Sequence, residues 1–320
     1  MRVKIAYLLL VHDNPRLLER TVLALNSPNA AFFIHVDKKA DMSQFSHIAG
    51  ENVFFIEERV AVYWGQYSQV EAILKMMQRA VEADAGYDYF VLISGTDYPL
   101  RSADYIGRFL EDQFGSEFMS CVRMPNEAAG KPLSRINTLV LPSSQPVRRF
   151  VVRVLAKLGW AKRDYRKHLG NLAPYSGSTW WGLTRGACQY ILQFVRDNPK
   201  VTAYFRYTFA SDESLLHTIL GNSRFQPQIK RNFTYDDWHA RGASPESIGE
   251  RHIELFKSKE EVVLDDVYGR GEALFARKFC DSRLELTASV DRMILEKDKN
   301  KSEAEPKGSE DVSTSGSSRF

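Results

Sequence analysis

The stretch Ile5-Ala6-Tyr7-Leu8-Leu9-Leu10-Val11-His12-Asp13-Asn14-Pro15 decides how the rest of the chain reads. Seven consecutive apolar residues without alternation predict a strand buried on both faces, as in the middle of a parallel sheet. The polar turn that follows predicts an immediate helix start. Asp13 or Asn14 can cap it, and Pro15 has the fixed φ that suits the first helical position. Leu17, Leu18, Thr21, Val22 and Leu25 then recur at helical spacing. Further out, 31–36 and 53–56 read as strands, and 89–93 as another run buried on both faces. Ser68-Gln69-Val70-Glu71 has the form of a capping box opening a helix to about Val81. This alternation of strand and helix predicts a parallel, doubly wound α/β sheet.

With 320 residues, 44% of them apolar, the chain can bury one large core. The reading is a single α/β domain over 1–285, then a helical end and polar tail over 286–320. From 297 onward almost nothing is apolar, so that stretch cannot offset its ordering entropy and is expected to be disordered. A formal charge of +3 lacks the broad basic face of a nucleic-acid binder. Cys121, Cys188 and Cys280 are odd in number and far apart, which suggests neither a zinc site nor a disulfide framework. The apolar start is too short to span a membrane and has no cleavage site, so a reduced, cytoplasmic setting is expected. Residues 122–145, rich in Pro, Ser and Asn, read as a long functional loop. In 146–168 an apolar stripe (Val147, Val151, Val154, Leu155, Leu158) is flanked by Lys and Arg. It reads either as a peripheral helix at the inner face of a membrane or as a packed helix with a solvated basic face.

Doubly wound sheets bind ligands beyond the carboxyl ends of their strands. His12-Asp13, Asp37-Lys38 and Asp97 all fall there. Ordinary turn chemistry also favours Asp at such places, so it is the convergence of three clusters that points to a site. Ser178-Thr179-Trp180-Trp181-Gly182-Leu183 reads as an aromatic-rich strand, and Ser211-Asp212-Glu213-Ser214 as a helix start, where the macrodipole favours anions whatever their role.

Six motifs occur in order: Ile34-His35-Val36-Asp37, Trp64-Gly65 before Ser68, Ser94-Gly95-Thr96-Asp97-Tyr98-Pro99, Gly177-Ser178-Thr179-Trp180-Trp181, Ser211-Asp212-Glu213 and Leu274-Phe275-Ala276-Arg277-Lys278-Phe279. Together they resemble the core-2/I-branching β-1,6-N-acetylglucosaminyltransferase family, with the related peptide O-xylosyltransferases, in a bacterial-type member. The resemblance implies a GT-A-type nucleotide-sugar-binding fold and an inverting transfer from a UDP-sugar, with GlcNAc the first expectation. The acceptor would be a glycan or peptide hydroxyl.

Residue by residue, Glu213 matches the family's general base, with Asp212 as its rival. Lys278 matches the lysine on the diphosphate, and Arg241 is a candidate second cation. Asp37 matches the residue that reads the uracil edge, Asp97 a donor-sugar contact with Gly95 permitting close backbone approach, and His12 lines the nucleotide pocket. Neighbouring strand residues face opposite ways, so only one of Trp180 and Trp181 can stack on a sugar; Trp181 is assigned to the acceptor. Most GT-A enzymes hold a divalent ion through Asp-x-Asp, which this chain lacks. No metal or other cofactor is therefore expected, and basic side chains take its place at the leaving group. Cys121-Val122-Arg123-Met124-Pro125 lacks the carboxylates that members acting on mucin glycans carry there, which argues against a mucin core as acceptor. Two other readings compete: a transferase using UDP-xylose, and a catalytically silent sugar-binding protein on the same fold.

Overall fold

Ile5–Val11 forms β1, buried at every position but Leu10, in a computed structural model that describes residues 2–83, 85–141, 150, 154, 161–238 and 244–304. Helix α1 (Pro15–Leu25) follows and buries Leu17, Leu18, Val22 and Leu25 as their spacing predicts, each worth about 1.5–3 kcal/mol over exposure. Asn14, one of the two candidates, is the N-cap residue, but its side chain makes no cap hydrogen bond. The carboxylate of Asp281 accepts from Arg16 N at 3.3 Å and Leu17 N at 2.7 Å, while Asn14 Oδ1 accepts from Asp281 N at 2.8 Å.

Next come β2 (Ala30–Val36), β3 (Val53–Phe55), α2 (Ser68–Glu82), β4 (Tyr89–Ser94), β5 (Asp97–Pro99) and α3 (Ala103–Asp112). The capping box expected at Ser68 does not form. Tyr67 is already helical, and the Ser68 hydroxyl accepts from Tyr63 N at 2.9 Å. Strand β6 (Glu117–Arg123) leads to the short helices α4 (Ser134–Asn137) and α5 (Arg166–Leu169), then to β7 (Tyr175–Thr184). Helices α6 (Arg185–Asp197) and α7 (Pro199–Phe205) precede a 3-10 turn at Ser211–Glu213 and α8 (Leu215–Gly221). The last part holds β8 (Ile229–Lys230), β9 (Thr234–Asp236), α9 (Glu250–Ser258), β10 (Val263–Asp266), β11 (Gly269–Glu272), β12 (Phe275–Arg277) and α10 (Leu284–Ala304).

The main sheet has the order β3-β2-β1-β4-β7-β6-β8. The GT-A-type α/β arrangement is therefore present, with one correction to the all-parallel expectation. Strands β1 to β4 are mutually parallel, but β7 runs antiparallel to both β4 and β6. A buried apolar run does not encode its direction; the connection before it does. A second sheet, β5-β12-β9, packs its Phe275 against Tyr7 of the main sheet.

Strand β7 passes β6 at a register shift between Met119 and Cys121. There Gly177 comes so close that an added Cβ would lie 1.5 Å from the Ser120 carbonyl oxygen. Only glycine fits that crossing.

One further expectation meets the structure differently. The tail expected to be disordered from 297 stays helical to Ala304, and the rest falls outside the described residues. Within the basic stretch 146–168, residues 146–149, 151–153 and 155–160 also lie outside them. At its end, Arg163 stacks 3.7 Å from the Tyr204 ring and donates to the carbonyls of Tyr204 and Tyr207. No helix among the described residues is long and apolar enough to cross a membrane.

Candidate active site

The carboxyl ends of β1, β2 and β4 open onto a cavity of about 700 Å³. His12, Asp37, Gly95, Glu213 and Lys278 all line it, so five of the residues singled out in the sequence meet in one place. His12 is exposed at the rim, on the turn after β1. Asp37, buried at the end of β2, accepts from Lys39 N at 2.9 Å and pairs with Lys39 Nζ at 3.1 Å, leaving other lone pairs for a ligand. At Gly95 the tight neighbour is within the protein: an added Cβ would press 2.9 Å onto the Val11 side chain.

The Asp212-Glu213 pair is held from strand β7. Ser176 Oγ donates to the Glu213 carbonyl at 2.8 Å, and Thr179 Oγ1 donates to Asp212 Oδ2 at 2.6 Å. Gly177 contributes its carbonyl to Lys131 Nζ at 2.7 Å, and Lys131 reaches Glu213 Oε2 at 2.6 Å. Arg135, from α4, pairs with the same oxygen. Burial alone would raise the Glu213 carboxyl, but the charges of Lys131 and Arg135 outweigh it and hold it below its ordinary value. Asp212 behaves oppositely: burial, then the neighbouring Glu213 charge, push it up to about 6. Its Oδ1 is buried and unpartnered among the described residues. Glu213 also closes a 3-10 turn rather than sitting in the first turn of α8.

At the other wall stand two cations. Lys278 is half-buried and lines the cavity; burial and the adjacent Arg277 charge lower its pKa. Arg277 lies 4.3 Å over the Trp180 ring, with Nε 3.0 Å from Asp97 Oδ1 in an ion pair whose angle falls short of a hydrogen bond. Asp97, expected at the donor sugar, does not line the cavity. It is 0% exposed, and its carboxylate accepts from Ser94 N at 2.7 Å and Ser94 Oγ at 2.9 Å while facing Arg277. A buried carboxylate needs such partners, so Asp97 positions Arg277 and the Ser94-Gly95 turn. The assignment of Trp181 to an acceptor is likewise corrected. Trp181 is 1% exposed within the core, and Trp180, on the opposite strand face, lines the cavity. Arg241 lies outside the described residues.

Arg135 and Arg277, which line the cavity, and Lys131, which pairs with Glu213, are candidate-site residues that sequence reasoning missed. Arg277 stands inside the Phe-Ala-Arg-Lys-Phe motif, but Lys131 and Arg135 are isolated cations in a polar loop and carry no such signal. Asp236 also lines the cavity and accepts from the Trp238 side chain. His35 Nε2 accepts from Val60 N at 2.9 Å and fastens the segment that carries Trp64; burial pushes its pKa down to about 4, which keeps it neutral. Among the described residues no group of three or more His, Cys, Asp or Glu side chains could hold a metal ion.

Xylosyltransferase 1 of Canis lupus familiaris is 28% identical over 249 residues, covering 75% of this chain and 24% of its own length. Xylosyltransferase 2 of Homo sapiens is 26% identical over 249 residues, covering 75% of this chain and 27% of its own. The chain thus spans about a quarter of the length of these curated relatives. Among solved structures, apo mouse xyloside xylosyltransferase 1 aligns with a TM-score of 0.34 at 10% identity, covering 87% of this chain and 98% of that one. The family model described as Core-2/I-Branching enzyme matches residues 5–259. With most of its length matched by that model, the chain belongs to the core-2/I-branching enzyme family of glycosyltransferases.

Proposed function

We propose that this chain is an active, inverting glycosyltransferase that moves a sugar from a UDP-sugar to an acceptor hydroxyl without a metal ion. The observation that carries the reading is one cavity with a paired carboxylate, Glu213, on one wall and two cations, Arg277 and Lys278, on another. In the proposed step Glu213 takes the proton from the acceptor hydroxyl. The acceptor oxygen bonds to the anomeric carbon, and the bond from that carbon to the diphosphate oxygen breaks. UDP leaves with the electron pair, its charge balanced by Arg277 and Lys278. Asp37 is placed to accept from the uracil ring, and His12 to border the nucleotide. Burial strengthens the interaction of the Lys278 charge with phosphate, although burial and the Arg277 charge also lower its pKa.

GlcNAc and xylose are the two donor sugars to compare, since the relatives named above are xylosyltransferases. UDP release from UDP-GlcNAc and UDP-xylose, with p-nitrophenyl glycosides and a serine-glycine peptide as acceptors, tests the reading. No release from any pair overturns it.

The pH profile separates the two carboxylates. A general base must be ionised, so the rate falls as pH drops through its pKa. With Glu213 as base, the acid limb of kcat/KM is expected below the ordinary glutamate value, since Lys131 and Arg135 outweigh burial there. A limb at about 6 would instead assign the base to Asp212.

We also propose, from sequence, that 146–168 meets an anionic membrane surface. Replacing Arg148, Arg149, Arg153 and Lys157 by Gln is expected to reduce flotation with anionic liposomes, at about 1 kcal/mol per basic group. An unmodified protein that does not float would remove this contact.

A further inference from the structure

Asp212 has no task in the proposed transfer step, yet it lines the cavity beside Glu213 and is itself 7% exposed. Thr179 Oγ1 donates to its Oδ2 at 2.6 Å, whereas its Oδ1 has no hydrogen-bond partner among the described residues. The nearby cations do not supply one, because Lys131 and Arg135 both go to Glu213 Oε2. Nor do the described acidic side chains group into a metal site. Buried polar groups are rarely left without a partner, so this oxygen calls for a donor from outside the chain. The carboxylate turns about a broad, two-fold torsion, so either oxygen can take that donor while the other keeps Thr179.

Strand β7 fixes where Asp212 stands. Ser176 Oγ donates to the Glu213 carbonyl at 2.8 Å, and the Gly177 carbonyl takes the Lys131 that pairs with Glu213. Two residues on, Thr179 holds Asp212, and Trp180 carries Arg277 at 4.3 Å from its ring. Ser178, Thr179 and Trp180 all line the cavity. The strand advances about 3.3 Å per residue, and so sets the base, Asp212 and a leaving-group cation in that order along one wall. A transferred sugar spans the same interval. Its anomeric carbon lies between the acceptor oxygen at Glu213 and the diphosphate at Arg277 and Lys278.

We propose that Asp212 binds the transferred sugar of the donor, its free oxygen accepting from a hydroxyl or amide N–H of that sugar. This rests on the UDP-sugar reading above and leaves Glu213 as the base. The sugar makes the contact and the nucleotide does not, so Asp212 favours a UDP-sugar over its product UDP. Once the sugar has moved, UDP lacks this bond, which helps fresh donor replace it. A hydrogen bond from the sugar also stabilises the ionised form of a carboxyl that burial and Glu213 push up to about 6.

Calorimetric titration with UDP, UDP-GlcNAc and UDP-xylose, without acceptor, reads this contact apart from the chemistry. In Asp212→Ala the affinity for a UDP-sugar relative to that for UDP is expected to fall about 10-fold, the loss of one hydrogen bond to a charged group. The ratio is the readout because removing a negative charge acts on the diphosphate of both ligands alike. Retained UDP binding shows that the variant is folded. Should Asp212→Ala not fold, Asp212→Asn keeps the volume and the Thr179 bond and carries the same test. At saturating donor the contact is already made, so the pH profile of the acceptor step still reports the base. An unchanged ratio, whether both affinities hold or both fall together, overturns this assignment alone when the unmodified protein transfers. No binding of any UDP-sugar by the unmodified protein removes the transfer reading and this assignment together.

Discussion

Glu213→Gln is expected to lower transfer by about 10²–10⁴-fold while UDP still binds, because the amide keeps the shape of the side chain but cannot take a proton. The size of the effect follows from the surroundings of Glu213. Lys131 and Arg135 both reach its Oε2, and together they keep the carboxylate ionised and aimed. After substitution those two cations face an uncharged group, and Lys131 is buried. Some loss of stability is therefore expected as well, and thermal unfolding of the variant separates it from the loss of rate. Single-turnover rates and a UDP titration make the measurement. Near-normal turnover in Glu213→Gln, with loss in Asp212→Asn alone, would move the base to Asp212, whose unpartnered Oδ1 and raised pKa make it the physical rival.

Lys278→Ala is the second large effect. Charge stabilisation at a leaving group is worth about 3–4 kcal/mol in comparable sites, so turnover is expected to fall about 10²–10³-fold. Exposed Lys257 and Lys259 serve as controls, and their replacement should change little. Arg277 remains in Lys278→Ala, stacked on Trp180 and paired with Asp97, which leaves residual activity rather than none. In the same assay EDTA should leave the unmodified enzyme unchanged, and manganese should add little. Activity abolished by EDTA and restored by manganese would overturn the reading of both cations.

Strands β1, β2 and β4 were legible because residues buried on both faces leave a continuous apolar run. The reversed direction of β7 was not, since nothing in Trp180-Trp181-Gly182-Leu183 says which way the strand enters the sheet. Strand alternation showed that Trp180 and Trp181 must part, but not which of them faces the cavity. The sheet register decides that, and it put Trp181 in the core. Asp97 was found for its place at a strand end, yet its task is one layer deeper, holding Arg277. Lys131 and Arg135 act through contacts made across 82 and 78 residues, a separation that local pattern cannot span. The Ser68 motif shows the reverse error: the right letters for a capping box, with the hydroxyl taken by Tyr63 N instead.

The place of β12 sets an order on the birth of the enzyme. It lies between β5 and β9 as the middle strand of its sheet, although it is the last strand among the described residues. Four parallel strands are complete once residues 5–94 have left the ribosome, and chains made N-terminus first can begin to pack there. Arg277 and Lys278 arrive only afterwards and must be laid between two edges already made. The Asp281 carboxylate then closes over the start of α1, joining amides 264 and 265 residues away. Such distant closure is slow relative to local folding. A nascent chain stalled before Phe275 therefore carries Glu213 while lacking both cations that line the cavity with it.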